Sequence, residues 1–267
     1  MEWMNLTAPD FAKAVEDSGG VCVLPIASIE KHGEHLPLGC DTFNCELKVR
    51  RACEKANVMM FPVIPFAENS EAMNHPGAVA LRRPVLFDFV WNLIDEIVRN
   101  GFRKVILVSG HGGNWFFAGY LLQDFLMRET APKFMLYFCT LEWDMKVVAE
   151  VLETECTHGG EGETSCCLVS VPDLVKMGNI PQKVYKPLGR VQHLRDAGIK
   201  PAIWWSADHP EHYNGDARPS TAEKGEKLFE DWVNRLAAAF KAVREDEKAF
   251  EVYREYIERR NRGGLRT

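Results

Sequence analysis

"KVILVSGHGGNWF", Lys104 to Phe116, decides how this chain folds. Its first six residues, Lys104 to Ser109, are a short apolar run of the kind that forms a strand covered on both faces. A glycine-rich turn follows, then a helix from about Asn114, then a further apolar run, "FMLYFCT", from Phe134. Strand, turn, helix and strand of these lengths make a crossover between parallel neighbours. Upstream, "VCVLPIAS", Val21 to Ser28, repeats the buried-strand pattern. "TAPDFAKAVEDSGG" before it reads as a helix capped by Thr7, with Pro9 in its first turn and Gly19-Gly20 as its stop. A helix over Asp41 to Ala56 leads to the strand candidate "VMMFPVIPFA", Val58 to Ala67, whose pairing Pro62 limits. Pro84 opens a strongly periodic helix that Gly101 ends. The alternation predicts an α/β fold with a mostly parallel sheet covered on both faces.

Beyond Val171 the pattern loosens. "PLGRVQHLRDAGIKPAIWWSADHPEHYNGDARPS" is rich in turn formers and reads as a long excursion around the site. A last helix spans roughly residues 221 to 260, with room for one break. The Arg-rich end, "YREYIERRNRGGLRT", reads as a solvated helix C-terminus. A formal charge of −6 excludes a basic nucleic-acid surface and a polybasic membrane patch. No run approaches the roughly 20 apolar residues that span a bilayer. The N-terminus lacks a basic segment followed by an apolar one, so a cytoplasmic protein with a single domain over residues 1–267 is expected. The eight cysteines include no C-x-x-C pair, and Cys166 and Cys167 are adjacent. Reduced, buried thiols are expected rather than disulfides or a zinc ribbon.

Parallel sheets bind ligands outside the carboxyl ends of their strands. "IEKHGEHLPLGCD", Ile29 to Asp41, lies at such an end. Glu30 and His32 are two apart, so both can face one ion, and Asp41 can return to the same place with two carboxylate oxygens. His111 follows the strand from Lys104, on a turn whose glycines let backbone approach closely. "THGGEGETS", Thr157 to Ser165, adds His158, Glu161 and Glu163 in a second glycine-rich turn. Mixed imidazole and carboxylate donors suit zinc, manganese or ferrous iron better than calcium or magnesium.

Three stretches in this order, "LPIASIEKHGEHLPLGCDTF", "VILVSGHGGNW" and "HGGEGETS", resemble the signature of the creatininase (creatinine amidohydrolase) family. The similarity runs from about Val21 to Val175 and resumes in "GDARPSTAEKGEKLFE", from Gly215. The resemblance implies a three-layer αβα fold, a site for two divalent ions (zinc, manganese or iron), and homo-oligomers, commonly hexamers. Carried over residue by residue, Glu30, Asp41 and His111 would hold one ion, and His32, Asp41 and a further glutamate the other. Creatinine-cleaving members supply that glutamate two positions after the histidine of a "GHYEN" stretch, where this chain has Gly113. Glu161 is the expected replacement. Glu163 is the alternative ligand, otherwise orienting the ligands or anchoring the helix N-terminus. His158 matches the family's catalytic histidine, which would move a proton after a water shared by the ions attacks a carbonyl.

The loop "PFAENSEAMNHPGAVAL" departs from the family's pattern: its histidine becomes Ala72, its threonine Ala78, its glycine and serine Ala67 and Asn69. That loop faces substrate in the family, so the rewriting points away from creatinine. Asn69, Ser70 and Trp143 are candidate substrate contacts. Trp204, Trp205, His209, His212 and Tyr213 either line a pocket or pack a subunit interface, while His35 and His193 are structural or exposed. Three functions remain open. One is hydrolysis of a small cyclic amide or a formamide; another is hydrolytic C–C cleavage of a cyclic polyol diketone such as an oxidised inositol. The third, a non-catalytic binding or maturation partner, predicts a lost ligand or a lost proton carrier, yet Glu30, His32, Asp41, His111 and His158 are all present.

Overall fold

Strands β1 (Val21–Ile26), β2 (Met59–Met60), β3 (Lys104–Ser109) and β4 (Met135–Cys139) form one parallel sheet in the order β2-β1-β3-β4. The structure, a computed structural model, describes residues 1–128 and 133–262. β1 and β3 pair from Val21 opposite Lys104 to Ile26 opposite Ser109. Both strands therefore end side by side, and the loops that leave them start at one edge of the sheet.

The helices are α1 (Ala8–Asp17), α2 (Cys40–Ala56), α3 (Arg83–Arg99), α4 (Asn114–Met127), α5 (Met145–Val151), α6 (Glu161–Ser170), α7 (Gln192–Asp196), α8 (Trp204–Asp208), α9 (Ala222–Glu245) and α10 (Lys248–Asn261). Alternate strand residues sort them into two layers. Cys22, Leu24, Val105 and Leu107 face a core completed by α1, α3, α4 and α10. Val21, Val23, Ile106 and Val108 face the opposite core, built with α2 and α9. The result is the three-layer αβα arrangement. Each fully buried Leu, Ile or Phe in these cores contributes about 1.5–3 kcal/mol.

Two expectations change in detail. The run from Val58 to Ala67 pairs as a ladder only at Met59–Met60, because Pro62 has no N–H to donate. Beyond it, single hydrogen bonds hold the segment to β1: Ile64 N–H donates to Pro25 O at 2.9 Å, and Ala27 N–H to Ile64 O at 2.8 Å. The last helix breaks at Asp246, whose carboxylate accepts from the backbone N–H groups of Lys248 and Ala249 and so starts α10 anew. Residues 263–267 of the Arg-rich end lie outside the described residues. Among the described residues no helix is long and apolar enough to cross a membrane. All eight cysteines are free thiols, six of them buried.

α9, which follows the excursion after Val171, lies against α6 at close range. A Cβ added at Gly225 of α9 would sit 2.1 Å from the backbone oxygen of Ser165 in α6. Gly225→Ala is therefore expected to destabilise the protein by about 3 kcal/mol in urea unfolding. Gly119, exposed in α4 with nothing within 4 Å of its notional Cβ, is the control. Gly119→Ala should stabilise by up to about 1 kcal/mol.

Candidate metal centre

The chain leaves β1 through Ser28, Glu30 and His32, turns at Gly33 with φ +70°, and comes back as the first turn of α2. That return places Asp41 beside the strand end, where its Oδ2 accepts a 2.7 Å hydrogen bond from Ser28 Oγ. The same carboxylate faces two imidazoles. Oδ1 lies 3.2 Å from His32 Nε2, and Oδ2 lies 3.1 Å from His111 Nδ1. Glu30 Oε1 stands 2.9 Å from His111 Nδ1, and Glu163 Oε2 stands 3.6 Å from His32 Nε2. Each inward nitrogen thus sits between one oxygen of Asp41 and one of a glutamate.

Backbone carbonyls hold the outer nitrogens. His111 Nε2–H donates to Glu68 O at 2.9 Å, which leaves Nδ1 to face the carboxylates. His32 Nδ1 is 3.4 Å from Glu30 O, leaving Nε2 inward. An imidazole anchored to a carbonyl through one nitrogen and aimed at acidic groups through the other is arranged as a metal ligand. His32 Nε2 is buried without a hydrogen-bond partner, though Glu30, Asp41 and Glu163 all have oxygens within 3.8 Å. A divalent cation with nitrogen and oxygen donors fits there.

The electrostatics tell the same story. Burial opposes charge on His32, yet Asp41 and Glu163 push its imidazole up to about 10. His111 also overcomes burial and rises well above its usual value, through Glu30 and Asp41. Burial would raise Asp41, but His32 and His111 hold it down at about 2. Burial wins at Glu163, which reaches about 7. Without a cation, two protonated imidazoles supply the positive charge that the carboxylates demand.

Glu161 does not join this cluster. Its carboxylate is fully buried away from this cluster, where it accepts from Thr154 N–H at 2.7 Å, Thr154 Oγ1 at 2.8 Å and Lys224 Nζ at 2.5 Å. Those donors, with the Glu153 N–H, occupy its lone pairs and tie α6 to α9. Glu163, two residues on, is the carboxylate that α6 turns toward His32. Gly113, the other departure, has a steric reason: a Cβ there would lie 2.4 Å from Glu68 O and 2.6 Å from His111 Nε2. A side chain at 113 would displace the carbonyl that orients His111.

His158 stacks on His32 at 4.1 Å between ring centroids. Its Nε2–H donates to Lys31 O at 2.9 Å. Asn69 is fully buried, and its Nδ2 donates to Ile29 O at 3.0 Å. Ser70 and Trp143 line a cavity of roughly 1230 Å³ that opens beside the cluster, together with Trp115, Trp204 and Trp205. His35 is buried against Thr164 Oγ1, and His193 is exposed. Cys40 Sγ also lies near His32 and Asp41, but it faces Cys167 Sγ at 3.3 Å, and that contact with burial keeps it a thiol. Sequence reasoning left three contacts unread: Ser28 on Asp41, the Glu68 carbonyl on His111, and His212 Nε2, 3.1 Å from Glu30 Oε2. The first two involve a hydroxyl and a backbone group that no motif marks.

A sequence model of creatininase, described as creatinine amidohydrolase, matches residues 4–240. A creatinine amidohydrolase of Pseudomonas putida is 25% identical over 257 residues, 89% of this chain and 95% of its own. A 3-dehydro-scyllo-inosose hydrolase of Thermotoga maritima is 24% identical over 248 residues, 80% of this chain and 75% of its own. A mycofactocin precursor peptide peptidase of Mycolicibacterium smegmatis is 25% identical over 236 residues, 84% of this chain and 85% of its own. Among solved structures, a creatininase variant of Zn-Zn type superposes with a TM-score of 0.75 at 21% identity, over 92% of this chain and 98% of that one, which is a likeness of fold.

The two glutamates of α6 should separate in experiment. Glu163→Ala is expected to lower bound zinc or manganese, read by mass spectrometry after dialysis, with little change in unfolding midpoint. Glu161→Ala should keep the metal and lose about 1–3 kcal/mol of stability, because the Glu153 and Thr154 donors lose their buried acceptor while Lys224 keeps its pair with Glu153. Metal uptake at neutral pH should release about two to three protons, from His32, His111 and, in part, Glu163. Calorimetry in buffers of different ionisation enthalpy reads that release, and the affinity should weaken as pH falls.

Proposed function

Because this chain belongs to the creatininase family, we propose that it is a dinuclear-metal-dependent hydrolase acting on a small cyclic substrate, with a lactam-type or formamide C–N bond as the point of cleavage. The observation that carries the reading is Asp41, whose two oxygens each face a different imidazole. Glu30, Asp41 and His111 would hold one ion; His32, Asp41 and Glu163 would hold the other. When bound, such ions acidify water and polarise a carbonyl.

The remaining work falls to side chains. His158 gives its Nε2–H to Lys31 O, so Nδ1 carries the lone pair and is the atom that takes and returns a proton. Burial first, and His32 second, hold His158 down at about 3, so it is neutral at physiological pH with Nδ1 unprotonated. The Trp205 ring lies nearly perpendicular to it, with centroids 5.3 Å apart. The hexamer implied by the family resemblance is the assembly we expect in solution.

A second reading, hydrolytic C–C cleavage of a cyclic polyol diketone, is favoured by the rewritten loop. It presents Ser70, Glu71 and Asn74 to the cavity, a hydrogen-bonding wall suited to ring hydroxyls. The similarity to the Thermotoga hydrolase agrees with this.

The test is a spectrophotometric screen of zinc-, manganese- and iron-loaded protein against lactams, formamides and keto-inositols. Activity on a ring amide or formamide, abolished by chelator and restored by metal, is the expected result; turnover of keto-inositols alone would select the second reading. His158→Ala should lower kcat by about 10²–10⁴-fold while binding the same amount of metal. Failure to retain any transition metal after supplementation would overturn the proposal.

A further inference from the structure

His212 belongs to neither set of ligands named above, yet it touches one of them. It is 1% exposed, with Nε2 lying 3.1 Å from Glu30 Oε2. Its Nδ1 accepts a 2.8 Å hydrogen bond from Trp205 Nε1–H. Indole nitrogen can only donate, so Nδ1 of His212 must carry a lone pair and Nε2 the hydrogen. The second bond then has one direction: Nε2–H donates to Glu30.

The backbone is shaped to deliver this ring. His212 has φ +51°, uncommon for a residue with a Cβ. Its N–H donates to His209 O at 3.0 Å, and its carbonyl accepts from Gly33 N–H at 3.1 Å, so the turn is pinned to the loop that carries Glu30 and His32. With Oε2 of Glu30 engaged by His212, Oε1 is the oxygen left facing His111 Nδ1. The neighbouring Trp204 has a different setting: Lys200 Nζ lies 4.0 Å from its ring.

We propose that His212, locked as its Nε2–H tautomer by Trp205, is a positioning residue that makes Glu30 a one-oxygen ligand, so that the excursion from Trp204 to Tyr213 sets the affinity of the ion held by Glu30, Asp41 and His111. This rests on the dinuclear reading above. Trp205 also lines the cavity, 5.3 Å from His158 between ring centroids, so the indole that orients the ligand also borders the cavity.

Trp205→Phe keeps an aromatic side chain and removes the Nε1–H donor together with the five-membered ring that carries it. Chelator-competition titration with Co(II) should show one ion bound 10–100-fold more weakly and the other unchanged, with an unfolding midpoint close to wild type. His212→Gln, whose amide can still donate to Glu30, should recover part of the affinity that His212→Phe loses. Independently of metal, ¹⁵N NMR should find His212 as the Nε2–H tautomer in the wild type and as a mixture in Trp205→Phe. A wild type that takes up two ions, with Trp205→Phe indistinguishable from it in affinity and tautomer, overturns this inference alone. A wild type that takes up no divalent ion overturns the metal reading and this one with it.

Discussion

One carboxylate shared by two imidazoles is the constraint on which the site depends. Asp41 could not lie between His32 and His111 unless β1 and β3 ended in register and α2 began immediately beside them. The parallel ladder supplies the first condition and the tight return through Gly33 the second. Everything added afterwards adjusts a geometry already set by the sheet. Glu30 and Glu163 complete the two sides, and the carbonyls of Glu30 and Glu68 hold the rings in place. Such a concentration of buried acid costs a great deal to desolvate and is tolerable only with matching positive charge at its centre.

Much of this was legible in the residues. The apolar runs at Val21, Lys104 and Phe134 appear as strands within a residue or two, because continuous burial on both faces leaves a clear pattern. The run at Val58 was harder, since Pro62 changes hydrogen bonding without changing hydrophobicity. Glu30, His32, Asp41 and His111 stood out because metal-binding side chains at strand ends have few other reasons to cluster.

The choice between Glu161 and Glu163 was not legible. Both lie in the first turn of α6, and their roles depend on which way that helix is rotated. The rotation is fixed from outside: Lys224 of α9 and the backbone around Thr154 claim Glu161. Lys224 is 63 residues away in sequence, and the nearer contacts at residues 153 and 154 run largely through backbone N–H groups, so no spacing of side chains could announce them. The same holds for His212, which reaches Glu30 from 182 residues away.

That dispersal along the chain has a consequence for how the protein comes into being. A chain being synthesised exposes Glu30, His32, Asp41 and His111 early, while Glu163 and His212 are still to emerge from the ribosome. An ion captured at that stage would meet an incomplete set of donors and a Glu30 with both oxygens loose. The cluster is complete only when α6 has docked on α9 and the late excursion lies over the strand ends, so on the dinuclear reading tight capture of metal would mark the end of maturation rather than its beginning.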